Sequence, residues 1–327
     1  MFNDEIENIL LVTGGAGFIG SHFINEIFEK YKNIKIINID SLYYCSNINN
    51  VKENIQKSNR YIFIKLNLRD LECIKKLFIE NKITHIIHFA AQSHVDNSFL
   101  ESLEYTQDNI VGTHNLLECA RIYCKDLKKF IHVSTDEVYG DSMIDISEKH
   151  KTENSILCPT NPYASSKAAA ELIATSYYHS FKLPIIITRG NNVYGKNQYK
   201  EKLIPKFIDL LEKNQKVTIH GDGECLRSFL YITDTIDAFI KILELGNIGE
   251  IYNIGCDNNM EYKVIDVAKI LINKIKNTND YDKYISYIED RPYNDKRYYI
   301  SNDKLKKLGW IIKVNFESGI NMLLDNI

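Results

Sequence analysis

A chain of 327 residues, 44% apolar and 25% charged, holds enough apolar sequence for one large α/β domain carrying a smaller one, and its proportions exclude a disordered or fibrous class. A formal charge of −3, with the lysines scattered and not massed, lacks the basic surface that nucleic acid requires, so no nucleic-acid partner is expected. The acidic opening Met1 to Leu11 has no leader-like character, no run is apolar enough to span a bilayer, and the seven cysteines include no Cys-x-x-Cys pair; a reducing, cytoplasmic setting without membrane, disulfide framework or metal is expected.

Along the chain, β-branched runs alternate with helical patterns. Ile9 to Thr13 is a strand-length apolar run, and Thr13-Gly14-Gly15-Ala16-Gly17-Phe18-Ile19-Gly20 then opens a helix over Phe18 to Tyr31. Glycines at positions 14, 17 and 20 permit a tight turn and a close backbone approach to a pyrophosphate, and the helix N-terminus offers N–H groups to it. A strand Ile34 to Ile39 ends at Asp40, about 20 residues beyond the glycines, where an acid hydrogen-bonds ribose hydroxyls and so favours NAD over NADP. Further units follow: strand Ile62 to Leu66, helix Leu71 to Asn81, strand His85 to Phe89, helix Tyr105 to Tyr123, strand Phe130 to Ser134, helix Pro162 to Phe181 and strand Ile185 to Thr188. Repeated strand-helix-strand order with continuously apolar strands predicts a Rossmann-type doubly wound parallel sheet. Ala90-Ala91, after Phe89, supplies small residues where backbone can lie along a dinucleotide, although packing alone explains alanines equally well.

After Arg189 the pattern loosens. Loops are expected over Asn191 to Gln198 and His220 to Arg227, with a helix near Ile204 to Glu212 between them; a helix Asp234 to Leu245 and a strand Ile251 to Ile254 rejoin the sheet. The expected division is 1–190 with 228–256 as the dinucleotide-binding part and 191–227 with 257–327 as a smaller, discontinuous substrate part.

Tyr163 and Lys167 stand four apart at a helix start and share one face, so the lysine can act on the phenol. In an arbitrary sequence such a pair is usually a surface pair; here it follows a nucleotide-binding half and the strand end Ser134-Thr135. A phenol titrates near about 10, and a nearby ammonium favours the phenolate. Asp136 and Glu137 are adjacent at the carboxyl end of that strand, where ligands bind. Two carboxyl groups in unequal environments can hold opposite protonation states, as an elimination requires.

Together these motifs resemble the extended short-chain dehydrogenase/reductase family along essentially the whole chain. Within it, Ser134-Thr135-Asp136-Glu137-Val138-Tyr139-Gly140 is similar to the signature of the nucleotide-glucose 4,6-dehydratases; 4-epimerases and decarboxylases on the same scaffold lack the adjacent Asp-Glu pair, and a catalytically silent NAD-binding scaffold has no need of Thr135, Tyr163 and Lys167 together. The resemblance implies a bound NAD contacted by Gly14, Gly17, Phe18, Ile19, Gly20, Asp40, Asn67, Leu68, Phe89, Ala90, Ala91, Tyr163 and Lys167. It implies Thr135, Asp136, Glu137, Tyr163 and Lys167 as the catalytic set. It also implies a nucleotide sugar held by Ser93, Thr135, Asn192, Lys202, Leu203, Arg227, Asn253, Arg291 and Asn294, the two arginines clamping the diphosphate, and a homodimer built on helices Tyr105 to Tyr123 and Pro162 to Phe181. Against bacterial dTDP-glucose enzymes, Gln92 replaces a usual Glu, Asn67 an Asp and Asn294 a His. Tyr44-Cys45-Ser46-Asn47, Asp96-Asn97-Ser98-Phe99 and Leu305 to Trp310 instead resemble the dehydratase part of plant-type rhamnose synthases, which implies UDP-glucose over dTDP-glucose.

Overall fold

Every strand-length apolar run of the first half enters one sheet. The structure, a computed structural model, describes residues 8–142 and 150–325; residues 1–7, including most of the acidic opening, and 143–149 and 326–327 of the expected domain ranges lie outside the described residues. The strands are β1 (Asn8–Thr13), β2 (Ile34–Asp40), β3 (Tyr61–Lys65), β4 (His85–His88), β5 (Lys129–Thr135), β6 (Ile185–Gly190), β7 (Asn192–Tyr194), β8 (Val217–His220), β9 (Leu226–Tyr231), β10 (Ile251–Ile254), β11 (Glu261–Lys263) and β12 (Ile285–Ile288). Seven of them form the main sheet in the order β10-β6-β5-β4-β1-β2-β3, with every pairing parallel. Strand order reverses between β1 and β4, which opens a crevice at their carboxyl ends, the place where such sheets take ligands.

Alternation along the strands sorts the core into two layers. Leu10, Val12, Ile87 and Ile131 pack with Phe23, Ile24 and Phe239 from helices Phe18–Lys30 and Ile232–Leu245. Ile9, Leu11, Ile86 and Phe130 pack with Ile74, Leu116 and Ala174 from helices Leu71–Glu80, Gly112–Tyr123 and Pro162–Phe181. Helices on both faces are why these strands carry no polar side.

The second half differs from the expectation of long loops. Within the expected loop 191–198, β7 forms and joins β9 and β11 in a three-stranded sheet, while β8 pairs with β12 in a parallel pair. Strands of three or four residues are too short to display periodicity in sequence. Helices Leu203–Glu212 and Val264–Lys276 cover β8, and Trp310, fully buried, donates its Nε1 to the Asp234 carbonyl at 2.9 Å, pinning the C-terminal segment beneath helix Ile232–Leu245. The helix expected over Tyr105 to Tyr123 is interrupted: Thr106–Val111 is π-helical. The wide turn carries Asn109 to the loop after β4, where its Oδ1 accepts from the Gln92 N–H at 2.8 Å and its Nδ2 donates to the Gln92 carbonyl at 3.0 Å. All seven cysteines are free thiols. Among the described residues no helix is long and apolar enough to cross a membrane.

Candidate active site

The crevice holds a cavity of about 400 Å³ lined by every residue expected to touch the dinucleotide. Gly14 has φ +70, and a Cβ there would sit 2.6 Å from the Ala90 backbone nitrogen, so only glycine lets the turn lie against the loop after β4. Helix Phe18–Lys30 starts at Gly17 with no side-chain cap and no acidic residue in its first turn. Its first N–H groups and the positive end of its dipole are thus left for an anion such as a pyrophosphate. Asp40 accepts from the Ala16 N–H at 3.0 Å and the Leu42 N–H at 2.8 Å; each oxygen keeps a lone pair for a ribose hydroxyl. Asn67 commits its Oδ1 to the Arg69 N–H at 2.9 Å, and Leu68 is buried beside it. The Thr188 hydroxyl and the Ser134 hydroxyl line the same cavity, buried and without a partner among the described residues. Glycine cradle, open helix end, acid and orphaned hydroxyls together fit a dinucleotide.

Behind the loop, hydrogen bonds fix one protonation state. Thr113 donates to the Asn109 carbonyl at 2.6 Å and is 2.9 Å from His88 Nε2, which must therefore carry the proton; His88 Nδ1 then accepts from Thr13, 2.6 Å away, and the Thr13 hydroxyl accepts from the Ala90 N–H at 3.2 Å. Burial holds His88 neutral, near about 3.

β5 delivers the reactive groups at its carboxyl end. Asp136, 3% exposed, receives a hydrogen bond from Asn191 Nδ2 at 2.6 Å and one from Thr135 at 3.2 Å. Burial first, then the neighbouring Glu137 charge, push its carboxyl up to about 7, so it holds a proton far above the ordinary carboxylate range. Glu137 faces the cavity, accepts from Asn161 Nδ2 at 3.2 Å and lies 3.3 Å from the Tyr298 hydroxyl, which donates its proton to Asp295 at 2.6 Å. Burial raises it too, while the Asn161 hydrogen bond and the charges of Lys202 and Arg227 pull it back toward ionisation. Asn161 has a second task. Its Oδ1 accepts from the Ala164 N–H at 2.8 Å and caps helix Pro162–Phe181, with Pro162 as the first helical residue. One side chain thereby sets both a reactive carboxylate and the start of the helix that carries Tyr163 and Lys167.

The phenol and the ammonium depart from expectation in one respect. Lys167 donates to the Val133 carbonyl at 2.6 Å, and burial lowers it to about 8. Tyr163, 8% exposed, is raised well above the ordinary phenol range by burial and by the Glu137 charge, with the Thr135 hydrogen bond acting against them. The lysine's influence is thus not what dominates the phenol here: its ammonium is turned to a backbone carbonyl, and desolvation outweighs it.

A second cavity of about 160 Å³ adjoins the first, and Ser93, Glu137, Asn192 and Lys202 line both. Leu203, Arg227, Arg291 and Asn294 line the second. Arg227 lies over the Tyr298 ring, 5.0 Å from its centroid, and donates to Asn294 Oδ1 at 3.0 Å. Asn253 is a correction: it lines neither cavity. Fully buried on β10, it accepts from the Tyr139 hydroxyl at 2.8 Å and donates to the Lys151 carbonyl at 3.3 Å, a strut under the site and not a contact for a sugar. Asn161, Asn191 and Tyr298 are the functional neighbours that sequence reasoning missed. An Asn before Pro162 is a readable helix-start signal, and Asn191 lies inside a motif already singled out, but nothing marks Tyr298.

Comparison with known proteins agrees with this geometry. A family model described as GDP-mannose 4,6 dehydratase matches residues 11–323. The chain is 48% identical to a dTDP-D-glucose 4,6-dehydratase of Dictyostelium discoideum, covering 95% of this chain and 79% of that one. It is 46% identical to a trifunctional UDP-glucose 4,6-dehydratase/UDP-4-keto-6-deoxy-D-glucose 3,5-epimerase/UDP-4-keto-L-rhamnose-reductase of Arabidopsis thaliana, over 97% of this chain and 46% of that protein. Among solved structures, a dTDP-glucose 4,6-dehydratase from Streptomyces venezuelae with NAD and TYD bound superposes with a TM-score of 0.89 at 34% identity, covering 97% of this chain and 96% of that one. Matched almost from end to end and nearly half identical to such enzymes, the chain belongs to the GDP-mannose 4,6-dehydratase family of nucleotide-sugar 4,6-dehydratases, within the extended short-chain dehydrogenases/reductases.

Proposed function

We propose that this hydro-lyase is an NAD-dependent nucleoside-diphosphate-glucose 4,6-dehydratase that prefers UDP-glucose to dTDP-glucose and forms the 4-keto-6-deoxy sugar nucleotide of a rhamnose-type deoxysugar route. The observation that carries the reaction is the unequal pair Asp136 and Glu137 beside Tyr163: burial raises both, Asp136 as far as about 7, while Asn161, Lys202 and Arg227 hold back the rise of Glu137, which lines both cavities. The preference for UDP rests on the segments Tyr44 to Asn47, Asp96 to Phe99 and Leu305 to Trp310, because relatives named for either nucleotide are about equally similar.

When bound over Gly14 to Gly20 and Asp40, NAD supplies a two-electron acceptor that returns its hydride within the cycle, and its oxidised ring adds a positive charge favouring phenolate. Tyr163 takes the O4 proton of the hexose, aided by Thr135, and leaves a 4-ketone that acidifies C5. Glu137 removes the C5 proton, Asp136 protonates the departing C6 hydroxyl and water leaves; as the hydride taken from C4 would be delivered to C6, Glu137 would return its proton to C5, which completes the 4-keto-6-deoxy product. Lys167, hydrogen-bonded to the Val133 carbonyl, brings a positive charge one helical turn from Tyr163. Residues 1–190 with 228–256 would bind the dinucleotide and 191–227 with 257–327 the nucleotide sugar, with Ser93, Asn192, Lys202, Leu203, Arg227, Arg291 and Asn294 around the substrate. A homodimer is supported by Ile122 on helix Gly112–Tyr123 and by Leu172 and Phe181 on helix Pro162–Phe181, which are exposed apolar residues.

The test is to incubate the protein and NAD with UDP-glucose and with dTDP-glucose, without reductant, and to analyse the products. A 4-keto-6-deoxy product formed faster from UDP-glucose is expected; none from either substrate refutes the reaction, and faster turnover of dTDP-glucose refutes the preference.

A further inference from the structure

We propose that Asp96 is a positioning residue for the substrate diphosphate, acting through Arg291. The inference rests on the reading above that Arg291 grips that diphosphate. Asp96 is the second residue of helix Val95–Leu100, on the segment that continues from the cofactor floor after β4, and Arg291 comes from the loop after β12. They form an ion pair across the crevice, Arg291 Nε lying 2.6 Å from Asp96 Oδ1 without the angle of a hydrogen bond and Nη2 donating to Oδ2 at 3.3 Å.

Arg291 lines the second cavity and Asp96 does not, so the carboxylate backs the guanidinium on the side away from that cavity. A guanidinium carries five N–H donors in a rigid planar fork. A carboxylate on the Nε edge leaves the end-on edge, with two parallel N–H groups, for a phosphate. The segment bearing Asp96 is itself anchored. Lys202 Nζ donates to the Ser93 carbonyl at 2.6 Å, and Asn97 Nδ2 donates to the Tyr44 hydroxyl at 3.1 Å, which in turn donates to Glu201 at 3.0 Å. Two of the cations placed around the substrate, Lys202 and Arg291, are therefore tethered to the same four residues, Ser93 to Asp96.

Two effects of Asp96 oppose each other. Its negative charge repels a diphosphate, but it lies beyond the guanidinium and partly in solvent, where it is screened. Its hold on Arg291 fixes a side chain that otherwise loses its rotamer freedom when the anion arrives, a cost equivalent to roughly a three- to tenfold loss of affinity. Positioning outweighs repulsion, and Asp96 favours binding.

The experiment uses the full chain saturated with NAD: calorimetric titration with UDP and with dTDP, and kcat and KM on the better nucleotide-glucose, for wild type, Asp96→Ala, Asp96→Asn, Asp96→Glu, Arg291→Ala and the Asp96→Ala/Arg291→Ala double variant. Asp96→Ala is expected to weaken nucleotide binding and raise KM by about three- to tenfold, with a smaller change in kcat. Asp96→Glu should restore much of the loss, and the loss should vanish in the Arg291→Ala background. Unchanged or tighter binding in both Asp96→Ala and Asp96→Asn overturns the proposal, as does an equal loss with and without Arg291. Wild-type protein that binds neither nucleotide overturns both this proposal and the reading of the cavity on which it rests, and only that result removes the latter.

Discussion

Replacing Asp136 by Asn tests directly whether a buried carboxyl is kept protonated for use as an acid. Asn is nearly isosteric and accepts the Asn191 hydrogen bond through its carbonyl, while the Thr135 hydroxyl can rotate to accept from the new amide. In the wild type, the folded state raises this carboxyl from 3.8 to about 7. A group raised in the folded state contributes stability that is complete below its unfolded value and is lost as pH climbs through its folded value. At ~1.4 kcal/mol for each pH unit, ionising Asp136 in place costs roughly 4 kcal/mol once the pH exceeds about 7, and its near-complete burial leaves little solvent to soften that cost. The Asn variant is spared it. Thermal melts of the two proteins, saturated with NAD and followed by circular dichroism, should coincide near about pH 4 and separate steadily, with the variant melting ~8 °C higher near about pH 8, taking roughly 2 °C per kcal/mol for a chain of this size. Melting curves that stay parallel across that range would refute a buried, protonated Asp136, and with it the assignment of this residue as the acid.

Other outcomes follow from the same geometry. Glu137→Gln should slow product formation by about 10²- to 10⁴-fold by removing the base, yet still oxidise C4, which is read as reduced nicotinamide absorbance accumulating on the enzyme; wild-type turnover excludes Glu137 as the base. Because Lys167 sits near about 8, the ammonium is lost as pH rises through that value, so kcat should fall on the alkaline side, and Lys167→Arg should move that limb upward; an unmoved limb assigns it to another group. Gly14→Val forces a β-branched side chain into φ +70 with its Cβ 2.6 Å from the Ala90 nitrogen, so NAD affinity measured by fluorescence titration should drop by at least about tenfold while the chain stays folded; unchanged affinity removes the glycine cradle from the dinucleotide site.

Much of the first half was legible because each signal there is local. The runs that become β1 to β6 are predominantly apolar because both faces of the sheet's interior are covered, and the turn at Gly14 to Gly20 announces itself by the residues that its close approach to Ala90 demands. What was missed is short or non-local. β7 and β11 have three residues each, below the length at which alternation can be seen. The π-helical turn at Thr106–Val111 places Asn109 in hydrogen bonds with Gln92, seventeen residues away along the chain, and no helix pattern encodes them.

The same distinction explains why the reactive residues were readable and their protonation was not. Adjacent carboxyls after β5 and a Tyr-x-x-x-Lys helix start are patterns within five residues, but which carboxyl keeps its proton depends on groups brought from elsewhere. Both line the cavity, but Asp136 is the more buried, with Asn191 from beyond β6 as its neighbour, whereas Glu137 is more open and faces Asn161, Tyr298, Lys202 and Arg227. Asn253 shows the converse error: its motif, Tyr252 to Gly255, is real, but the fold uses it to brace Tyr139, which also accepts from Arg189 at 2.8 Å. Arg189 is itself paired with the buried Glu171, one helical turn after Lys167. A residue can thus belong to the signature of an active site by holding its floor level, and sequence cannot separate that task from touching substrate, because both demand the same residue at the same place.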